Sequence, residues 1–570
     1  MSTDTDVPTD EDPRADLTWG TIPNLVTDAA QRHGNREALV DGATRITYAE
    51  LAVTVDRYAR AFVAAGSVAG DRVALWAPNC AEWMLAALGA LRAGAVLVPM
   101  NTRFKGGEAA YILRTSGAAT LVTVRGFLGV DYPALLQGED VGTLRRTVLL
   151  RDEAGSAGTG ERVSTGAGTG PDGVTLSTLA DFLRGGDVVG PEETEARAKA
   201  LQPDDVGDLI FTSGTTGYPK GAATTHAQSL RTFGTWSSIV GLQPSDRYLV
   251  VNPFFHTFGY KAGILACLMS GATVVPEPVF DPTTVMARIA EERISVLPGP
   301  PTLYQALLAD PHRADHDLSS LRLGVTGAAV VPVELVHAMR SVLGFSTVLT
   351  AYGLTESCGT VTMCRRSDPP DIIAGTSGRA IPSLEVRAVV DGVPVPPGEP
   401  GEIVVRGYTV MSGYWADDAA TAEAIDADGW LHTGDIGTMD PDGNITITDR
   451  VKDMFVVGGF NAYPAEIESI LRRHEQVAQV AVVGVPDERM GEVGFAYVVR
   501  APEAGSADGE AFAKDLLGWA REAMANYKVP RGVVVVDALP VNASGKVLKR
   551  ELRERHASGQ DHVVTNERSR

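Results

Sequence analysis

Apolar strand-like runs and runs of helical period alternate through most of the chain, and that alternation restricts the fold more than any other feature. RVALWAPN (72–79) reads as a strand, EWMLAALGALRAG (82–94) as a helix closed by glycine, and AVLVPM (95–100) as the next strand. The pattern returns at LRLGVTGAA (321–329), PVELVHAMRSVLG and STVLTAYG. In that helix Val333, Val336, Met339, Val342 and Leu343 recur near the helical period, and Pro332 suits a first turn. Repeated βαβ units call for parallel sheets covered by helices, so the expected class is α/β. A chain of 570 residues also exceeds what one core supports, roughly 250–300 residues, so more than one domain is expected.

After about residue 450 the texture changes to a shorter α+β pattern. AEIESILRRH and KDLLGWAREAMANY read as helices, and AQVAVVGVP, GEVGFAYVVR and GVVVVDALP as strands. The expected division is a disordered leader over 1–18, a large domain over 19–450, a small domain over 451–555 and a frayed polar tail over 556–570. The glycine-rich stretch 153–174 reads as an exposed loop without chemistry.

A net charge of −21 argues against nucleic acid or an anionic membrane as the main partner, since both need a basic face. The acidic start MSTDTDVPTDEDPRADL lacks the basic and apolar regions of a secretion signal. No apolar run reaches the ~18 residues that span a bilayer, and Arg92 interrupts the best candidate, 84–99. Cys80, Cys267, Cys358 and Cys364 show no CxxC pairing and read as reduced thiols of a cytoplasmic protein. His312 and His316 stand four apart without HExxH character, and read as a solvated polar segment.

The stretch FTSGTTGYPKGA (211–222) combines hydroxyl side chains, glycines and one lysine. Hydroxyl donors and bare backbone amides suit a polyphosphate. A Walker A loop would need lysine directly after glycine, but Tyr218 and Pro219 separate Gly217 from Lys220. The kinase pattern GxGxxG fails as well.

TSGTTGYPKG (212–221) resembles the phosphate-loop signature of the adenylate-forming superfamily, which includes acyl-CoA synthetases, firefly-type luciferases and adenylation domains of peptide synthetases. Further motifs stand in that family's order. AYGLTES (351–357) resembles its adenine and magnesium motif, and GWLHTGD (429–435) its ribose motif. DRVKDMFVVGGFNAYPAEIE (449–468) resembles the hinge and thiol-tunnel segment, and PVNASGKVLKREL (540–552) the C-terminal lysine loop. The resemblance implies a large N-terminal domain of several subdomains with parallel and mixed sheets, plus a small mobile C-terminal domain. It implies attack of a carboxylate on the α-phosphate of ATP, then attack of a thiol, usually CoA, on the acyl-adenylate.

By that resemblance Thr212, Ser213, Gly214, Thr215, Thr216 and Lys220 cradle the triphosphate, with Thr216 and Lys220 counted as catalytic. Glu356 matches the Mg2+ position, where a hard cation needs a carboxylate. Thr355 matches a phosphate contact, Tyr352 the ring stacked on adenine, and Gly327 and Ala328 the adenine edge. Asp435 matches the ribose clamp and Arg450 a second ribose or phosphate contact. Lys546 matches the lysine bridging the attacking carboxylate and the α-phosphate. Lys452 matches the hinge, and Gly458, Gly459 and Phe460 the segment beside the pantetheine arm of CoA.

NPFFHTFGYKAGILACL (252–268) resembles the segment carrying an aromatic gate, here His256, and one wall of the acyl pocket. No aspartate lies there to pair with an α-amino group, which disfavours amino-acid adenylation. Finer similarity links this segment, VLPGPPTLYQALL, VTGAA and TAYGLTESCGTVTMCR to actinobacterial ligases of the hydrindane propanoate left from steroid rings. The implied acid is a bulky fused-ring one, steroid- or terpenoid-derived. His256, Phe258, Gly259, Gly327, Ala329 and Gly353 are the expected pocket residues, and the small ones, with Ala262, Gly263 and Ala328, would leave room. A medium-chain or aryl acid, and a separate thiol acceptor in place of CoA, stay open. So do a luciferase-like oxygenase, a catalytically dead binding protein, and the oligomeric state, with a homodimer as one option.

Overall fold

A computed structural model describes residues 11–152, 173–212, 219–327, 331–450, 453, 455–457, 460–462, 464–487, 490–501, 509–524, 526–542, 546–561 and 563–565. The strand, helix and strand read at 72–100 are present as Arg72–Trp76, Ala81–Arg92 and Val96–Pro99. The two strands pair in parallel, Arg72 with Val96 through Leu75 with Pro99. The second unit is present as Leu323–Gly327, Val333–Ser341 and Thr347–Tyr352, again with parallel strands. Helix starts follow local chemistry. Thr47 and Glu50 close a capping box at the start of Tyr48–Ala64, and Thr225 and Gln228 do the same at His226–Val240.

The chain divides into two compact units, residues 1–385 with 405–431, and residues 386–404 with 432–570. These divisions fall elsewhere than the boundary read near residue 450. The strands of 386–404 pair with those of 432–450, and hydrogen bonding between segments distant in sequence leaves no change of texture to read.

The first unit holds an eight-stranded sheet and two four-stranded sheets. The large sheet runs in the order Gly413–Tyr414, Lys220–Thr225, Val206–Thr212, Val96–Pro99, Arg72–Trp76, Ala118–Arg125, Arg146–Asp152, Thr175–Thr178. Its centre is parallel and doubly covered, so its strands are apolar without alternation. The antiparallel pair Val206–Thr212 and Lys220–Thr225 stands towards one edge.

The second unit holds a five-stranded sheet over 385–450 and an α+β sheet over 455–565. Strict alternation along Val477–Asp487 sends Val480 and Val482 to one core and Ala481, Val483 and Val485 to another. The first core is covered by the helices Pro464–Leu471 and Gly509–Ala523, the second by Lys549–Ala557.

Among the described residues, those nearest both ends are better docked than their composition suggests. Residues 15–18, read as leader, form most of the helix Ala15–Trp19, and Ala15 is buried against Gly234. Arg231 pairs with Asp12 and lies over the Tyr408 ring. The expected frayed tail is also corrected in part. Tyr497 donates to Asp561 at 2.9 Å, Arg555 pairs with Asp561 at 2.6 Å, and Val564 joins the sheet opposite Val533. Val333 and Val342, counted in the apolar stripe of their helix, are exposed; Val336, Met339 and Leu343 carry its packing.

Candidate functional site

The hairpin of Val206–Thr212 and Lys220–Thr225 pairs Asp208 with Thr224, Ile210 with Ala222 and Thr212 with Lys220. Residues two apart share a sheet face, so these pairs form one row, with Thr212 and Lys220 at its open end. The connecting residues Ser213, Gly214, Thr215 and Thr216, expected to hold phosphate, lie outside the described residues.

Glu356 lies in a single turn, Thr355–Ser357, held by Ser357 Oγ accepting from the Leu354 amide at 3.1 Å. Cys358 ends that turn at φ +56°, in the left-handed region. Thr212 Oγ1 donates to Glu356 Oε1 at 3.0 Å, and Tyr414 Oη donates to the same oxygen at 2.9 Å. Lys220 Nζ sits over the Tyr414 ring, 5.3 Å from its centroid, in cation–π geometry. Thr212, Lys220 and Glu356 are thus brought together around Tyr414, a residue that motif reading missed. Its only signal was an aromatic pair in MSGYWADD (411–418), far in sequence from both partners.

Backbone bonds put Tyr414 there. Gly413 and Tyr414 pair with Ala223 and Ala222, the Trp415 amide donates to Gly221 O at 2.7 Å, and the Met411 amide donates to Glu356 O at 2.8 Å. Burial, and then the Glu356 carboxylate, push the Tyr414 phenol well above its usual range, so it remains a donor.

Among the described residues no group of three or more His, Cys, Asp or Glu is gathered around a common point. The donor set instead fits Mg2+ as that ion is commonly held beside nucleotides, by one carboxylate with phosphate oxygens and water completing the shell. Glu356 offers one carboxylate, oriented by two donors on one oxygen.

Tyr352 is half-buried at the end of its strand, and Thr355 opens the Glu356 turn. Ala328 and Ala329 lie outside the described residues. Gly327, Gly353 and Gly259 were read as leaving room for a ligand. A Cβ at Gly327 would lie 2.3 Å from Ala351 O, at Gly353 2.4 Å from Gly359 O, and at Gly259 2.1 Å from Pro253 O. Glycine is therefore required at all three by close approach of the protein's own backbone. His256 Nδ1 accepts from the Phe258 amide at 3.3 Å and caps the helical turn Thr257–Gly259. Phe258 is half-buried against the core.

In the second unit, Asp435 on Leu431–Met439 stands opposite Arg450 on Ile445–Arg450. Asp435 is buried, 4% exposed, and its amide donates to Thr433 Oγ1 at 3.1 Å. Glu402 braces the same turn, accepting from the Gly434 amide at 3.0 Å and meeting His432 Nδ1 at 2.9 Å. Lys546 is exposed, and its amide donates to Asn542 Oδ1 at 2.8 Å while its carbonyl accepts from the Asn542 amide at 2.8 Å. Phe460 opens the strand Phe460–Ala462, opposite Val457. Lys452, Gly458, Gly459 and the Arg450 side chain lie outside the described residues.

The family model described as AMP-binding enzyme matches residues 26–415, and the AMP-binding enzyme C-terminal domain matches residues 466–546. The 3-[(3aS,4S,7aS)-7a-methyl-1,5-dioxo-octahydro-1H-inden-4-yl]propanoyl:CoA ligase of Rhodococcus jostii (strain RHA1) is 48% identical over 538 residues, covering 94% of this chain and 98% of that protein. The ligase of the same description from Mycobacterium tuberculosis (strain ATCC 25618 / H37Rv) is 47% identical, at the same coverages. Among solved structures, the anthranilate CoA ligase AuaEII in complex with anthranoyl-AMP superposes with a TM-score of 0.81 at 28% identity, covering 97% of this chain and 99% of that one.

Proposed function

The chain belongs to the AMP-binding enzyme family, and from that membership we propose that it is an ATP-dependent acyl-CoA ligase for a bulky fused-ring carboxylic acid. One observation carries the choice of acid. Two relatives at 48% and 47% identity, each matched over 94% of this chain, are ligases of a methyl-dioxo-octahydroindenyl propanoate.

In the first half-reaction a carboxylate oxygen attacks the α-phosphorus of ATP. The bond from that phosphorus to the β-bridging oxygen breaks, and pyrophosphate leaves with the electron pair. In the second, the sulfur of CoA attacks the acyl carbonyl, the thiol proton is lost, and AMP leaves. Thr212 and Lys220 are assigned to the phosphates, Tyr352 to adenine, and Asp435 and Arg450 to ribose. The support is motif position together with the Thr212–Glu356–Tyr414 network. Fixed donors aimed at developing charge stabilise the departing pyrophosphate without reorganising. Glu356 is the residue that would hold Mg2+, whose chemistry there is neutralisation of phosphate charge. Lys546 is assigned to the charge shared by carboxylate and α-phosphate, Lys452 to a hinge, and Gly458, Gly459 and Phe460 to the pantetheine arm. His256 and Phe258 are assigned to the acid side. The catalytic division is proposed near residues 449–452, with a mobile small domain beyond it.

We read the protein as cytoplasmic. All four cysteines are free and buried, and among the described residues no helix is long and apolar enough to cross a membrane.

The test is a panel of carboxylic acids assayed with ATP, Mg2+ and CoA for AMP and thioester. Fused-ring propanoates should outrank straight-chain and simple aryl acids in kcat/KM. A straight-chain preference would overturn the substrate class, and absence of AMP with every acid would overturn the ligase reading.

A further inference from the structure

Lys261 is a fully buried charge that the proposed chemistry leaves unused. Its ammonium group lies 3.0 Å from Asp208 Oδ1, and the two side chains are 0% and 1% exposed. Lys261 Nζ also donates to Thr224 Oγ1 at 2.6 Å and to Cys358 Sγ at 3.5 Å. Thr224 Oγ1 in turn donates to Asp208 Oδ1 at 2.6 Å. Burial opposes the ammonium charge, yet the Asp208 carboxylate leaves its pKa above the ordinary lysine value. Burial raises the Cys358 pKa and keeps it a thiol, an acceptor that carries no charge.

Stability alone does not account for such a cluster. Desolvation of two ions offsets most of their attraction, and apolar residues of the same volume serve as well or better. What the ion pair adds is geometry: Lys261 and Thr224 both converge on Asp208 Oδ1, while Asp208 Oδ2 is buried without a hydrogen-bond partner.

The segments it joins are those carrying the proposed reaction groups. Asp208 and Thr224 oppose each other in the hairpin, on the same face as Thr212 and Lys220 four residues further along, or ~13 Å at about 3.3 Å per residue. Cys358 stands two residues beyond Glu356, at the left-handed position that ends its turn. Lys261 belongs to the π-helical turn Tyr260–Leu265 that continues the helix capped by His256. A π-turn shifts side-chain phase within a helix and recurs at functional sites. A single ammonium group thereby ties the acid-side segment to the phosphate hairpin and the Glu356 turn.

We propose that Lys261, with Asp208 and Thr224, is a positioning residue that sets the register between the acid-side helix and the Thr212–Glu356 phosphate site, so that adenylation depends on it although it touches no substrate. The inference rests on the ligase reading. Attack on the α-phosphorus needs the carboxylate and the phosphate held to fractions of an ångström, and a 1 Å misplacement can cost on the order of 10²-fold in rate.

The test uses the full chain with the charge-neutral double variant Lys261→Met/Asp208→Asn, and with Thr224→Val, which keeps the ion pair. Each is measured by ATP–pyrophosphate exchange, by melting, and by backbone hydrogen exchange. The expected result for the double variant is a native-like melt, adenylation kcat lower by roughly 10- to 100-fold, and KM for ATP within about twofold of wild type. Amides of 206–212, 220–225, 257–266 and 355–360 should exchange faster together, while those of 72–76 stay unchanged. Thr224→Val should show the same pattern with a smaller fall in kcat, about 3- to 10-fold. Native kcat and native exchange in either folded variant would overturn the proposal. Should the double variant fail to fold, native kcat in Thr224→Val would still overturn it. A wild-type protein that adenylates no acid would refute the ligase reading instead, and the exchange pattern would still decide whether the segments are coupled.

Discussion

Replacing Tyr414 by phenylalanine isolates one contact at the proposed phosphate site. The change deletes the hydroxyl that donates to Glu356 Oε1 at 2.9 Å and keeps the ring under Lys220 Nζ. A hydrogen bond to a charged acceptor contributes about 1.5–3 kcal/mol. Glu356 and Tyr414 are only half-buried, and Thr212 still donates to the same oxygen at 3.0 Å, so the lower part of that range applies. A loss of about 1–2 kcal/mol corresponds to a ~5- to 30-fold fall in kcat/KM for adenylation. Because the contact orients the carboxylate assigned to Mg2+, the Mg2+ concentration for half-maximal exchange should rise by a similar factor. The assay is ATP–pyrophosphate exchange across a Mg2+ series, with the melting profile as a control for folding. A folded variant with unchanged kcat/KM and unchanged Mg2+ dependence would refute the assignment of Tyr414 and weaken that of Glu356.

Lys546→Ala should lower pyrophosphate exchange by about 10²–10³-fold, the scale of removing one preorganised donor, while CoA attack on supplied acyl-adenylate survives; equal loss in both half-reactions would refute the role. Burial pushes the His226 pKa down to about 4, so the folded state holds it neutral while the unfolded chain takes up a proton below about 6.5. Its contribution is therefore intact above pH 6.5 and lost as pH falls towards 4, by ~3 kcal/mol in total, and urea titrations of wild type and His226→Gln at pH 7.5, 6 and 5 should diverge accordingly. A wild-type stability flat across that range would count against it. Asp561→Ala, which strips partners from Tyr497 and Arg555, should destabilise the second unit by about 1–3 kcal/mol in the same titration, whereas a truly frayed tail would show no change.

Much of the fold was legible because its signals are local. The strands at 72–76 and 96–99 and the helix between them follow from hydropathy, and helix starts such as Thr47 follow from a capping residue and its partner three positions on. The hairpin proposed for phosphate and the Glu356 turn were legible because their motifs are contiguous. Tyr414 was not, since its meaning lies in a bond to Glu356 58 residues away. The described part of the tail was hard to read because its composition is polar, yet one carboxylate, Asp561, finds Tyr497 and Arg555.

The sequence by itself determined the α/β class, the family motifs and the residues at which phosphate and ribose chemistry is expected, since each depends on neighbours within a few positions. Only the tertiary structure decided that Lys261 meets Asp208, that Tyr414 meets Glu356, and that Gly259, Gly327 and Gly353 are small to admit backbone. The physical reason is that burial and pairing are properties of the packed chain. A lysine within an apolar segment carries no local mark of its partner until strands and helices from distant stretches close around it.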